Sequence, residues 1–244
     1  MTDLVLVHGA WHGAWCWQRV LPAIWAAGHR AFAVTLSGVG ERANLLSAGI
    51  SLDTHIADVM AVIEAEELRR AVLVGHSYAG MVITGVADRL AGRPEQRLAR
   101  LVYLDAVVPL PGESWSSSHS AETRTQRRDA IARLGSLPPP DPAIFGLAGE
   151  DRAWVARRQT PHPGATYDAV LDFDAARVAT VARSFIDCTA PALATIDLSR
   201  QRVRSDPGWQ VIGIAAGHDP MVSAPDALTR ILLDLARMCR RADE

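Results

Sequence analysis

Short apolar runs at residues 4–7, 71–74, 101–104, 184–186 and 211–214 constrain this chain most. Each is continuous rather than alternating, and β-branched residues recur in them. That pattern predicts strands buried on both faces of a parallel sheet. Residues 31–34 give a sixth, weaker candidate. Between the runs, residues 17–27, 53–68, 79–90 and 224–237 carry helical spacing. Strands alternating with helices imply βαβ crossovers and a doubly wound sheet, with ligands expected at the carboxyl ends of the strands.

The alternation breaks over 106–182. This stretch holds Pro109, Pro111, Pro138-Pro139-Pro140, Pro142, Pro161 and Pro163, with Trp115, Phe145, Trp154, Tyr167 and Phe173 among them. A structureless loop of that length is improbable in a compact domain. The expectation is therefore a core built from 1–105 and 183–244, with 106–182 inserted as a lid. The cluster Arg124, Arg127, Arg128 and Arg133 reads as the solvated face of a lid helix. A length of 244 residues suits one such domain.

Composition excludes several function classes. Net charge is −2, which favours neither nucleic acid nor an anionic membrane surface as partner. All 25 basic residues are Arg, so a Schiff-base lysine and a phosphate-loop lysine are both ruled out. The three cysteines, Cys16, Cys188 and Cys239, are odd in number and widely spaced, which signals neither a disulfide framework nor a zinc site. No run is long enough to span a membrane. Met1-Thr2-Asp3 leads straight into a strand without a basic leader, so a cytoplasmic location with reduced thiols is expected.

The strongest chemical signal is Val74-Gly75-His76-Ser77-Tyr78-Ala79-Gly80. It follows a buried strand and opens a helix, the context of a nucleophile on a strained turn. Such a turn needs small residues two positions to either side, here Gly75 and Ala79, and Gly80 lets the helix pack close. Ser77 is the candidate nucleophile. Leu6-Val7-His8-Gly9-Ala10-Trp11-His12-Gly13 follows the first strand. In this arrangement the backbone N–H groups of Ala10 and Tyr78 would form the oxyanion hole. His8 and His12 have metal-like i, i+4 spacing, but they flank glycines in a loop with no Glu between them, so a zinc-protease reading fails. His8 is expected to hold the loop through hydrogen bonds.

Ala216-Gly217-His218-Asp219-Pro220-Met221 follows the last apolar run and precedes a terminal helix. A histidine placed there suits a general base that takes the serine proton and returns it to the leaving group. His76 adjoins Ser77 but should point away from its hydroxyl. An orienting acid should fall between Ser77 and His218 in the chain. Asp105, at a strand's carboxyl end, and Asp187, further back in the next strand, both satisfy that order.

With its Ser77 turn and terminal Gly217-His218, the run His8-Gly9-Ala10-Trp11-His12-Gly13-Ala14-Trp15 resembles the plant methylesterase and hydroxynitrile lyase family. It is more similar still to that family's bacterial esterase members. The resemblance covers nearly the whole chain and is weakest in the lid. It implies an α/β-hydrolase fold, a mostly parallel six-stranded sheet under a lid, and cofactor-free hydrolysis of small carboxylic esters. In the plant proteins the acid follows a Cys-Thr pair matching Cys188-Thr189, and Pro191 occupies that place here, so Asp105 becomes the candidate. The lyases carry Thr in place of Gly9 and Lys directly after the catalytic histidine. Here that neighbour is Asp219, which would oppose a leaving cyanide.

The expectation is thus a serine esterase using Ser77, His218 and Asp105, with no cofactor and no metal, acting on a small apolar ester. Tyr78, Met81, Trp115, Trp154 and Met221 are candidate walls of its pocket. A lyase, an amide or thioester hydrolase, and a non-catalytic ligand receptor on the same fold remain open alternatives. So does the oligomeric state, with a homodimer as the candidate assembly.

Overall fold

The computed structural model of the chain describes residues 1–91 and 97–241. Residues 92–96 and 242–244, which the sequence assigns to the core, lie outside the described residues. The strands are β1 (Asp3–Val7), β2 (Arg30–Val34), β3 (Ala71–His76), β4 (Leu98–Leu104), β5 (Ser136–Leu137), β6 (His162–Pro163), β7 (Ala182–Cys188) and β8 (Trp209–Ile214). Six of them form one parallel sheet in the order β2-β1-β3-β4-β7-β8, and β5 pairs with β6 in a short antiparallel ribbon. The helices are α1 (Leu21–Ala26), α2 (Leu52–Ala65), α3 (Ala79–Leu90), α4 (Ala121–Leu134), α5 (Gly149–Ala156), α6 (Ala175–Val178), α7 (Asp197–Ser205), α8 (Pro220–Ser223) and α9 (Pro225–Arg241). The chain adopts an α/β-hydrolase fold. No described helix is long and apolar enough to cross a membrane.

The expected strand runs all fall in the central sheet. β1 and β3 are interior strands, and residues 4–7 and 71–74 are fully buried there, as continuous apolar runs require. The 211–214 run departs from that expectation: β8 is an edge strand, Val211 is exposed and only Ile214 is buried. Continuous hydrophobicity marks that strand without marking its depth. α3 begins and ends where its spacing predicts, whereas α1 starts only at Leu21 because a short 3-10 turn, Ala14–Trp17, precedes it.

The register aligns the functional strand ends. His76 pairs with Leu104, and Leu104 with Ile186, so Ser77 and Asp105 emerge at one level beyond adjacent strands. Gly80 makes this closeness possible. A Cβ there would lie 1.9 Å from the Val107 carbonyl oxygen, so only glycine lets α3 meet the loop after β4.

Ala182, expected in the lid, instead opens β7, and residues 106–181 contribute no strand to the central sheet. They carry α4, α5, α6 and the β5–β6 ribbon, and they are clasped to the loops above the sheet. Trp11 Nε1 donates to the Leu137 carbonyl (3.1 Å), Thr160 N–H to the Trp11 carbonyl (3.0 Å), and His218 N–H to the Phe145 carbonyl (3.0 Å).

Candidate active site

Ser77 sits at φ +55°, in the left-handed region that non-glycine residues rarely occupy. The turn holds it there. The Ser77 carbonyl accepts from Gly80 N–H (3.1 Å) and Val107 N–H (3.0 Å). Trp11 and Asp105 are also held at positive φ, +64° and +41°. Each such conformation costs about 1–3 kcal/mol, and these three lie on loops that converge beyond the carboxyl ends of the strands.

His218 joins the two carboxyl-end residues. Its Nε2 lies 2.8 Å from Ser77 Oγ, and its Nδ1 lies 2.7 Å from Asp105 Oδ2. Asp105 and His218 are buried, while Ser77 is partly open to solvent. The tautomer that donates from Nδ1 to the carboxylate leaves Nε2 free to accept the serine proton. Asp187, the other acid weighed from the sequence, is not brought to His218. Its carboxylate is bound by Arg200 Nε (2.6 Å) and by Arg204 Nη2.

The two candidate oxyanion donors are oriented by their own peptide planes. A trans peptide directs its C=O and N–H oppositely. His8 Nδ1 donates to the Gly9 carbonyl (2.7 Å), which turns the Ala10 N–H the other way. The two bonds to the Ser77 carbonyl do the same for the Tyr78 N–H. Neither N–H has an acceptor among the described residues. His8 Nε2 accepts from Leu36 N–H (3.1 Å), which fixes the neutral tautomer, and burial lowers its pKa to about 3. Gly9 is required beside this loop, because a Cβ would lie 2.8 Å from both Ser77 Cβ and His76 Nδ1.

Behind His218 lies a polar network that sequence reasoning missed. Asp219 is fully buried and turned toward His12, whose Nε2 is 3.3 Å from its Oδ2. Burial disfavours both charges, but each favours the other: the pair holds the Asp219 carboxyl down at about 2 and raises His12. Asp219 is thus paired with His12 beside the site. His12 Nδ1 also bonds the Ala10 carbonyl (2.8 Å). His76 points away from Ser77 as anticipated, with Nε2 2.8 Å from the His218 carbonyl oxygen. Burial, with His218 adjacent, pushes His76 well down, so it is neutral.

His76, His218 and Asp219 place ligand-type atoms within 4.8 Å of one another. Both His218 nitrogens are engaged by Ser77 and Asp105, and His76 Nε2 by a carbonyl, so the set fits a hydrogen-bonded relay better than a metal centre.

The surroundings are aromatic. Tyr78 packs against Trp115 (5.0 Å between ring centroids) and His162 (4.8 Å), and Phe145 against His218 (5.4 Å). Of the proposed walls, Tyr78, Met81, Met221 and Trp115 are all buried. Trp154 lies elsewhere, against Trp15 and beneath the Arg19 and Arg158 guanidiniums. Arg127 departs from the solvated face expected of its cluster. It turns inward over Trp11, Trp115 and Tyr167 at 5.0–5.5 Å. Arg128 stays outside, paired with Asp168. Trp11, Phe145 and His162 were missed as neighbours of the site. Trp11 lies inside the quoted motif, but nothing in the sequence brings Phe145 or His162 to it.

A doubly wound parallel sheet, a serine on a strained strand-to-helix turn, and a histidine beyond the last strand define the class of protein. The chain belongs to the alpha/beta hydrolase family, whose model matches residues 4–231. It is 40% identical to a carbendazim hydrolyzing esterase from Nocardioides sp. (strain SG-4G), over 96% of this chain and 100% of that one. It is 26% identical to methylesterase 3 of Arabidopsis thaliana, over 96% and 95%. Among solved structures, the fold matches an extracellular alpha/beta-hydrolase from a Paenibacillus species at a TM-score of 0.79 and 20% identity, covering 97% and 100% of the two chains. The family resemblance drawn from the motifs is thereby met.

Proposed function

We propose that the chain is a carboxylic ester hydrolase that works through Ser77, His218 and Asp105. The observation that carries this reading is the unbroken hydrogen-bond chain from Ser77 Oγ through both nitrogens of His218 to Asp105. Ser77 Oγ attacks the ester carbonyl while His218 Nε2 takes its proton. The Ala10 and Tyr78 N–H groups receive the developing oxyanion. His218 then protonates the leaving alcohol, and water clears the acyl-enzyme by the same proton path. The relatives named as esterases support the reaction class, and the compound in the Nocardioides relative's name is a first substrate to assay.

The lyase alternative is less well supported. Gly9 leaves no room for a side chain beside Ser77, and the chain has no Lys to balance a departing cyanide. A purely receptor role does not call for a serine aligned with a base in this way. Residues 106–181 act in this reading as the lid over an apolar ester site. The three free, buried cysteines suit a reducing, cytoplasmic setting. A homodimer is retained as the assembly, to be checked by sedimentation.

Steady-state hydrolysis of a short-chain p-nitrophenyl ester tests the reading. Activity is expected to survive EDTA and to vanish in Ser77→Ala. Activity retained by Ser77→Ala, or lost on chelation and restored by zinc, would reject it.

A further inference from the structure

We propose that Arg200, on α7, is the positioning residue of this site: it fixes the Asp105 carboxylate in register with His218, and its charge helps set the pH at which the base becomes available. This rests on the reading of Ser77, His218 and Asp105 given above.

A guanidinium has five N–H groups in one plane, and Arg200 makes five bonds. Nε donates to Asp187 Oδ1 (2.6 Å). Nη1 donates to Asp197 Oδ1 (2.8 Å) and to the Leu193 carbonyl (2.8 Å). Nη2 donates to Asp105 Oδ1 (2.7 Å) and to the Cys188 carbonyl (3.3 Å). The side chain is 5% exposed, so this geometry is held away from water. Burial opposes its charge, but Asp105 and its other acidic partners keep it ionised.

The arrangement is asymmetric. Asp187 has a second cation in Arg204, and Asp197 is largely exposed. Asp105 is fully buried, and among the described residues its only side-chain partners are His218 on one oxygen and Arg200 on the other. Arg200 therefore decides which carboxylate oxygen faces the imidazole. The bond to the Cys188 carbonyl anchors the guanidinium to the end of β7, so the acid just past β4 is braced from the neighbouring strand. A lysine could supply at most three of these donors and no plane.

The charge has a consequence of definite sign. A positive group one carboxylate away from His218 disfavours a second positive charge on the imidazole. The other groups facing His218 are Ser77, the neutral His76 of β3, and Asp219 with its partner His12, and none of them replaces Arg200. Without Arg200, the acid limb of the kcat/KM profile should move to higher pH. The shift expected for a unit charge at this kind of separation is about one pH unit.

The test is the pH profile of p-nitrophenyl ester hydrolysis in Arg200→Gln, Arg200→Lys and Arg204→Gln. Arg200→Gln should lower kcat at least tenfold, leave KM within a few-fold, and move the acid limb upward. Arg200→Lys should keep the limb near its original place while kcat falls, because charge remains and the fork is lost. Arg204→Gln should change neither. If Arg200→Gln fails to fold, Arg200→Lys decides: wild-type kcat would overturn the proposal. An unmoved limb in folded Arg200→Gln would overturn it as well. Asp105→Asn, run alongside, separates this from the reading it rests on. Full activity there rejects Asp105 as the acid, whereas a collapsed Asp105→Asn with an unmoved Arg200→Gln limb rejects only the role of Arg200.

Discussion

At the scale of single residues, the acid is the assignment for which the residues offered two positions and the resemblance favoured Asp105. Asp105 follows β4, Asp187 lies in the adjacent β7, and both follow Ser77 in the chain. What separates them is Asp105 at φ +41°, one residue past β4, against Asp187 within β7 and bound by Arg200 and Arg204. Replacing the orienting Asp of a Ser-His-Asp protease by Asn lowers kcat by about 10⁴. Asp105→Asn is therefore expected to lose at least about two orders of magnitude in kcat while folding normally. Asp187→Asn, which still offers an oxygen to Arg200, should keep most of its activity. Steady-state kinetics with circular dichroism checks both, and the reverse pattern would move the acid to β7. As members of the candidate site, Ser77, His218, Ala10 and Tyr78 could be picked out because each sits in a local motif beside a strand. Arg200 was not, since an arginine among Arg202 and Arg204 on a short helix reads as solvated until the fold buries it.

At the scale of elements, the approach of α3 to the loop after β4 depends on Gly80. In Gly80→Ala the new Cβ would overlap the Val107 carbonyl. Overpacking of this kind costs about 1–3 kcal/mol and occasionally more. A fall in the urea midpoint is expected, together with reduced activity as Asp105 is displaced. A wild-type midpoint would show that the helix can shift freely. The lid helix α4 makes a second contrast. Arg127 is packed over three aromatic rings, whereas Arg128 forms an exposed pair with Asp168. Arg127→Ala should lower the thermal midpoint, and Arg128→Ala should stay within about 0.5 kcal/mol of wild type. Equal effects would contradict the inward placement. The sequence marked four arginines here without telling which one faces in. α4 has no buried residue and no apolar stripe, so periodicity had nothing to register.

At the scale of the whole molecule, the buried histidines dominate the pH response. Burial lowers His8 to about 3, His55 to about 4 and His119 to about 3, and lowers His76 and His162 well below 6.5. Their unfolded counterparts protonate near 6.5, so between pH 6.5 and about 4 the unfolded state binds more protons and stability falls as pH drops. Each proton contributes about 1.4 kcal/mol per pH unit. The His12–Asp219 pair acts in the other sense at its histidine: that contribution is present below pH 6.5 and lost as pH rises through the raised His12 value. The Asp219 contribution is present above its ordinary 3.8 and lost as pH falls toward about 2. Five lowered groups against one raised histidine predict a thermal midpoint that drops steeply from pH 7 to pH 5. A flat midpoint over that range would contradict it. The parallel sheet and its βαβ crossovers were legible from apolar runs and spacing, and the strand order came from the structure. The histidine network was not, because it joins His12 to Asp219 across 207 positions.

The nucleophile is the claim on which the rest depends, and covalent labelling reaches it most directly. A fluorophosphonate should modify the protein stoichiometrically, peptide mapping by mass spectrometry should place the adduct on Ser77, and esterase activity should fall in step with labelling. An adduct on another residue, or full activity with Ser77 modified, would contradict the account.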